Sequence, residues 1–190
     1  MLMKELVVKN RSYRRFDQSA AMSRETLVKL VDLARLSATA ANMQPLKFLL
    51  SADASRNALI FPHLAWAAYL KEWDGPPEGE RPAAYIIVFG DKNIKQSFGC
   101  DHGIAAQSIL LGAVEKGLGG CIIASIKRPE LCRALSVPDH LEVLLAIALG
   151  RPKERVVIET VGPEGDVKYW RDADGTHHVP KRSLEELIVK

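Results

Sequence analysis

The sequence contains few cysteines, and those that it has form no recognisable framework. Cys100, Cys121 and Cys132 are an odd number, and none belongs to a Cys-x-x-Cys pair. Neither a disulfide framework nor a zinc site is therefore predicted. The only histidine pair is His177-His178. Adjacent histidines do not share a helix face or a strand face, so we expect no metal site.

The chain also lacks a long hydrophobic run. Its first fifteen residues carry five basic side chains and no extended apolar stretch. Neither a signal peptide nor a transmembrane span is predicted from this pattern. We therefore expect a cytoplasmic protein with no membrane partner.

Motifs for catalysis by side chains alone are missing as well. The sequence has no Gly-x-Ser-x-Gly, no His-Glu-x-x-His and no Walker A motif. The glycine-rich run Gly117 to Gly120 precedes a predicted strand rather than a helix, so it does not fit a dinucleotide-binding fingerprint. Cys121 lies in an apolar run, which favours a buried structural thiol. We assign no catalytic side chain and expect a cofactor to carry the reaction.

What the chain does have is an ordinary globular composition. It contains 190 residues, of which 47% are hydrophobic and 26% are charged. This predicts one domain over residues 1–190. The net charge of +3 is mild and argues for neither nucleic acid nor a membrane as partner.

Periodic patterns predict the secondary structure. Amphipathic or small-residue patterns predict helices, at 2–9, 24–37, 54–70, 100–116 and 129–135. Apolar runs predict strands, at 47–51, 84–90 and 143–149. Residues 167–171 and 176–179 flank a turn and predict a hairpin. With the basic cluster at its end, this hairpin would form a C-terminal extension over about 165–182. The fold class is α+β or α/β around one sheet.

The densest chemistry lies between Asn10 and Phe16. Arg11, Ser12 and Arg14 could grip an anion, most readily a phosphate, because guanidinium groups bind oxyanions through paired hydrogen bonds. The alternative is a basic arm on a solvated surface or a weak nucleic-acid contact. A second polar stretch, Thr39 to Pro45, places a hydroxyl and two amides before a proline that ends a helix.

Six short motifs in order make the chain resemble the nitroreductase family of flavin enzymes. They are Arg11-Ser12-x-Arg14-x-Phe16, Thr39-Ala40-x-Asn42-x-Gln44-Pro45, Asp101-x-Gly103-Ile104-Ala105-Ala106-Gln107, Gly117-x-Gly119-Gly120-Cys121, Leu149-Gly150-x-Pro152 and Lys181-Arg182. The resemblance implies an α+β fold, with a central, mostly antiparallel sheet flanked by helices. It also implies an intertwined homodimer with FMN at the subunit interface, and electron transfer from NAD(P)H to nitroaromatic, quinone or related small acceptors. Because no separate Rossmann site for the nicotinamide is recognisable, we expect donor and acceptor to take turns in a ping-pong mechanism.

The resemblance also implies a set of cofactor-binding residues. Arg11, Ser12 and Arg14, with Tyr13 between them, would hold the FMN phosphate, the ribityl chain and the N1–O2 edge. Lys181 and Arg182 would complete the phosphate site. The backbone of Ala124 and Ser125 would meet flavin N5. The neighbouring subunit would supply a further group, consisting of Thr39, Ala40, Asn42 and Gln44.

The chain departs from the family pattern in several places. Asn10 stands where arginine is common, Ala38-Thr39 replaces proline-serine, and Leu46 replaces a tryptophan. Larger members of the family place an asparagine and a lysine on a helix after the first strand, and these two have no clear counterpart in residues 54–73. Two other classes remain open from sequence: a non-catalytic protein that binds flavin or another phosphorylated ligand, and a weak nucleic-acid binder.

Overall fold

The centre of the molecule is strand β3, Ala84–Asp91, in which every residue is buried. The computed structural model describes residues 1–189. Strand β3 pairs with β2, Leu46–Ser51, on one side and with the long strand β5, Leu141–Pro152, on the other. Strands β4, Gly119–Ile123, and β1, Phe16–Asp17, also pair with β5. All four pairings are antiparallel, so the predicted α+β class with an antiparallel central sheet is confirmed.

Helices cover both faces of this sheet. Helices α2, Arg24–Leu36, and α4, Asp101–Glu115, pack on the face that carries Ile86 and Val88. Helix α5, Arg128–Leu135, packs on the opposite face. Successive strand residues point to opposite faces. Strand β3 therefore shows no polar alternation, because apolar layers cover it on both sides.

Local signals set the ends of the helices. Ser23 caps α2 by accepting a hydrogen bond from the Thr26 amide at 3.1 Å. Helix α4 ends in a Schellman motif, with Gly117 at φ +71° and the Leu118 amide bonded to the Ala113 carbonyl. The short helix α1, Met3–Lys9, directly precedes residues 10–16, here called the basic stretch, as the pattern predicts.

The prediction of one helix over 54–70 is wrong. Helix α3 spans only Ala54–Ile60 and is followed by a 3₁₀ turn, Phe61–His63. Pro62 lies in that turn. Its ring cannot donate the hydrogen bond that would continue the α-helix, and it would clash with the preceding turn. The chain after the turn is irregular, which brings residues 65–68 to the edge of a cavity described below.

A second, three-stranded sheet follows β5. Strand β8, His177–Lys181, pairs in parallel with β6, Val156–Thr160, and antiparallel with β7, Trp170–Arg171. The predicted hairpin is therefore present, although its first arm is shorter than expected. Ser183 caps the last helix, α6, Leu184–Leu187, by accepting from the Glu186 amide.

Within residues 1–189, no helix is both long enough and apolar enough to cross a membrane.

Candidate functional site

Two adjoining cavities lie beside the basic stretch. The first has a volume of about 290 Å³ and the second about 250 Å³. Both are lined by Arg14, Ile122 and Tyr169, so they meet at these three residues. The two cavities form one groove, and the exposed side chain of Ile122 from strand β4 lines both parts of it.

The first cavity collects cationic and polar side chains. It is lined by Arg11, Ser12 and Arg14 from the predicted anion grip, and by Lys181 from β8. These residues come from opposite ends of the sequence, were predicted to share a site, and line the same cavity. The Arg11 guanidinium donates to the Val7 carbonyl at 2.8 Å, while its buried Nε has no protein partner among the described residues. Burial lowers the pKa of Arg11, as expected for a partly desolvated cation.

Arg14 is held from three directions. Its Nη1 lies 3.3 Å from the Ser12 carbonyl and 3.2 Å from Nε2 of His177. Its Cζ lies 4.7 Å from the centre of the Tyr169 ring, within cation–π range. The guanidinium thus lies where the two cavities meet, with a defined orientation.

The buried carboxylate of Glu154 anchors the backbone of the basic stretch. It accepts hydrogen bonds from the amides of Arg14 and Arg15 and an ion pair from Arg171 at 2.9 Å. Its side chain is 1% exposed. Sequence reasoning missed this residue, because a single glutamate after Lys153 carries no local pattern that links it to residues 14 and 15.

Tyr13 and Arg15 of the basic stretch do not line the cavities. Arg15 makes a paired contact with Glu80, through Nε at 2.5 Å and Nη2 at 2.8 Å. The Tyr13 hydroxyl donates to the Lys9 carbonyl, and its ring packs against Gly119, where an added Cβ would lie 2.5 Å from the ring. Tyr13 therefore lies in the packing beneath the predicted site rather than in its wall.

The Gly119-Gly120 pair lets the basic stretch approach strand β4. The Tyr13 amide donates to the Gly120 carbonyl at 3.0 Å, and Ser12 forms a parallel bridge with Gly120. A Cβ added at Gly120 would lie 2.5 Å from the backbone oxygen of Ala148. The glycine-rich run thus serves close packing.

The second cavity contains the predicted N5 segment. Ala124 and Ser125 line it together with Trp66 and Ala67. The Ser125 carbonyl accepts from the Ala65 amide at 2.9 Å, which ties this wall to the chain after α3. Ala67 has φ +40°, a left-handed conformation that is strained for a residue with a side chain.

Cys121 also lines the second cavity but offers a poor nucleophile. Its side chain is buried, and burial raises the pKa of its thiol. A raised pKa lowers the thiolate fraction. The prediction that Cys121 is structural agrees with this environment.

The stretch from Thr39 to Gln44 lies away from both cavities. Ala40, Asn42 and Gln44 are exposed, and the Ala40 amide donates to the buried Asp101 carboxylate at 3.0 Å. Asn42 and Gln44 have φ values of +53° and +51°. Within the single chain, the structure does not bring this stretch to Arg11 and Arg14.

The two residues of the C-terminal basic cluster differ in position. Lys181 lines the first cavity. Arg182 lies outside it and pairs with Glu186 on α6 at 3.5 Å. Both side chains remain exposed.

Two further residues of the groove had no sequence signal. Tyr169 and His177 come from the C-terminal sheet region, and their rings lie 5.1 Å apart. His177 is 1% exposed, whereas its neighbour His178 faces away and stacks on Trp170. Strand alternation predicts that the two histidines diverge, but not which of them reaches Arg14.

Comparison with known proteins gives a consistent picture. The model of the nitroreductase family matches residues 7–151. This range contains the basic stretch, strand β4 and the Ala124-Ser125 segment.

Several solved structures share the fold. A nitroreductase family protein from Streptococcus pneumoniae TIGR4 has a TM-score of 0.72 at 16% identity, covering 100% of both chains. A protein from Exiguobacterium sibiricum, assigned as a nitroreductase and solved in complex with FMN, has a TM-score of 0.70 at 19% identity, covering 90% of this chain and 98% of that one. An FMN-dependent nitroreductase from Clostridium difficile has a TM-score of 0.66 at 21% identity, covering 80% and 89%.

Proposed function

The chain belongs to the nitroreductase family, and from this premise we propose that it is an FMN-dependent oxidoreductase. It would take electrons from NAD(P)H and pass them to nitroaromatic, quinone or related small acceptors. One observation carries the proposal: a cationic cavity joins a second cavity, lined by Ala124 and Ser125, at the side chain of Arg14.

The first cavity fits the phosphate end of FMN. Arg11 offers a buried Nε with no partner among the described residues, and Lys181 adds a second cation on the cavity wall. Charge-assisted hydrogen bonds from such groups are the usual means of binding a phosphate. Ser12 supplies a hydroxyl beside them. Arg182 would need to leave Glu186 to take part.

The second cavity fits the ring end. Arg14 would face the N1–O2 edge, and the backbone of Ala124 and Ser125 would lie near N5. Bound FMN would supply the two-electron chemistry that the side chains lack. The protein's own part is to bind and orient: Glu154 fixes the Arg14 backbone, and Ser125 is tied to Ala65.

The stretch from Thr39 to Gln44 supports a shared site. Its polar groups are exposed and lie outside the subunit's own cavities, yet Asp101 holds its backbone. We propose that Thr39, Ala40, Asn42 and Gln44 complete the FMN site of a partner subunit in a homodimer.

Donor and acceptor would take turns in the second cavity. The described residues offer no recognisable separate Rossmann site for the nicotinamide. Initial rates measured over both substrates should therefore give parallel double-reciprocal lines. Intersecting lines, with competition between donor and acceptor excluded, would contradict this scheme.

The first test is the absorbance spectrum of the purified protein, before and after incubation with FMN. Replacing Arg14 by alanine should weaken FMN binding about tenfold to a hundredfold, because a charge-assisted contact is lost. Arg35→Ala is the control, since Arg35 pairs with Asp32 on the surface of α2. Protein that stays colourless after incubation with FMN would overturn the proposal.

Turnover separates the enzyme from a non-catalytic flavin protein. FMN-loaded protein should oxidise NADH or NADPH when a quinone or nitroaromatic acceptor is present. Tight FMN binding without any such turnover would favour the binding protein.

A further inference from the structure

The buried imidazole of His177 is the side-chain acceptor for Arg14. Its Nε2 lies 3.2 Å from Arg14 Nη1, and the residue is 1% exposed. An arginine can only donate hydrogen bonds. Nε2 therefore accepts, and in neutral His177 the proton is on Nδ1, a buried atom with no hydrogen-bond partner among the described residues.

No carboxylate of residues 1–189 forms an ion pair with the Arg14 guanidinium. The nearby Glu154 carboxylate is occupied by two backbone amides and by Arg171. The guanidinium instead meets a backbone carbonyl, the Tyr169 ring and the His177 imidazole. All three partners are uncharged, so the positive charge of Arg14 is not cancelled locally.

The surroundings of His177 keep it neutral. Burial lowers the pKa of His177 to about 4, with further contributions from Arg14, Arg171 and His178. A neutral imidazole can orient a guanidinium as a carboxylate would, but without compensating its charge. This difference matters at the pyrimidine edge, because reduction of a flavin places negative charge near N1.

We propose that His177 is a positioning residue, which orients Arg14 toward the flavin's N1–O2 edge while leaving its full positive charge available there. The inference rests on the proposed FMN function. It also explains a feature that the sequence left without a role, the adjacent His177-His178 pair. Only the first of the two reaches the groove, while His178 bonds to Asp172 and Glu159.

Three substitutions separate orientation from charge. His177→Gln keeps a neutral acceptor, His177→Phe keeps a ring without an acceptor, and His177→Glu adds a charge that would compensate Arg14. The measured quantity is the ratio of the dissociation constants for oxidised and reduced FMN. This ratio also fixes the shift in the flavin's two-electron midpoint potential on binding.

We expect His177→Gln to keep the ratio within about threefold of the wild type. His177→Glu should lower the preference for reduced FMN at least tenfold, which corresponds to about 30 mV for a two-electron couple. His177→Phe should lie between them. Thermal unfolding of the apoproteins gives a separate measure of structural damage. Lower stability in all three variants with an unchanged ratio would reduce His177 to a packing residue and overturn the proposal.

A second measurement needs no flavin. Nitrogen NMR of the wild-type apoprotein near pH 7 should show His177 as the neutral tautomer protonated on Nδ1. A proton on Nε2 would exclude acceptance from Arg14 and overturn the inference. If the wild type binds no FMN at all, the proposed function fails and takes the flavin role of His177 with it. If the wild type binds FMN normally and all three His177 variants keep the wild-type ratio of dissociation constants, only the proposed role of His177 is overturned.

Discussion

At the scale of the residue, two glutamates determine whether the side chains of Arg14 and Arg15 form a structural ion pair or line the groove. Glu80 pairs with Arg15 and also accepts an ion pair from Lys153 at 3.3 Å. Glu154 binds backbone amides and leaves the Arg14 guanidinium free to face the groove. Arg15 is therefore a structural cation, and Arg14 is the one whose side chain lines the two cavities. The sequence alone shows only that the two arginines are adjacent.

The Glu80 pair predicts a pH-dependent contribution to stability. Arg15, followed by Lys153, lowers the pKa of Glu80 to about 2. The folded state thus binds this proton more weakly than the unfolded state, whose pKa is 4.5. The stabilisation is complete above the unfolded value and is lost as the pH falls toward the folded value. We expect Glu80→Gln to cost about 2 kcal/mol near neutral pH, a figure reduced for solvent screening.

Urea unfolding near pH 7, 5 and 3 checks this prediction. The difference in the free energy of unfolding between wild type and Glu80→Gln should be nearly the same at pH 7 and pH 5 and smaller at pH 3. Glu78→Gln is the matched control, because Glu78 is an exposed residue in the same loop. A difference that grows as the pH falls would show that the ion pair is not its source.

At the scale of the element, strand β4 supports the site. Its first residues bind the basic stretch, Ile122 faces the groove, and Ala124 and Ser125 follow its end. The backbone of Ser12 and Tyr13 reaches Gly120 directly. The distance between the anion grip and the predicted N5 segment is therefore set by one short strand.

Gly120→Ala tests this arrangement. The added Cβ would lie 2.5 Å from the Ala148 carbonyl oxygen and 2.6 Å from a Leu110 methyl. Backbone cannot move aside cheaply, so we expect a loss of about 1–3 kcal/mol in the free energy of unfolding. FMN affinity should fall as well, since Tyr13 and Ser12 are displaced.

Gly162→Ala is the control for that substitution, because no atom lies within 4 Å of its added Cβ. Its effect on unfolding should stay within about 0.5 kcal/mol. Equal free energies of unfolding for the Gly120→Ala and Gly162→Ala variants would show that strand β4 can shift to accommodate the extra methyl group.

At the scale of the whole molecule, one subunit holds only part of the predicted cofactor site. Arg11, Ser12, Arg14 and Lys181 converge on the first cavity. The stretch from Thr39 to Gln44 does not reach it. The two groups can meet only if a second copy of the chain brings its own Thr39 stretch, which is the arrangement that we propose. The extent of the domain, predicted as residues 1–190, stays a prediction.

Subunit mixing tests the shared site. Arg14→Ala and Asn42→Ala should each weaken FMN binding when present in both subunits. In a mixed dimer, one shared site would contain both substituted residues. The other site would contain the unaltered Arg14 and the unaltered Asn42. Coexpression in equal amounts should therefore restore about a quarter of the wild-type tight sites, if subunits pair at random.

Sites built within single subunits would show no such restoration. Light scattering of the FMN-loaded wild type should give twice the mass of the chain. The interface should bury more than about 2,000 Å², as obligate dimers usually do. A flavin-loaded monomer at micromolar concentration would contradict the proposed dimer.

Most local elements, and the positions of the ligand-binding candidates, can be read from the amino-acid sequence without a structure. Some signals involve only a few neighbouring residues and can be recognised without knowledge of the fold. Examples are the N-cap at Ser23, the C-terminal glycine of α4 at Gly117 and the apolar run of β3. Such a local pattern is misleading at 54–70, where apolar spacing continues past Pro62 but the α-helix ends at Ile60.

Which of these candidates lie together, and which partners each of them has, depends on the folded chain. His177 bonds to Arg14 across 163 positions of the chain, and Glu154 reaches the same segment across 140. Such contacts depend on the placement of the C-terminal sheet, whose residues line a cavity together with Ile122 of strand β4, and no local pattern encodes that placement. The orientation of Arg14, and the absence of a carboxylate that compensates its charge among the described residues, are consequently properties of the folded molecule. Both depend on partners supplied by distant strands and loops.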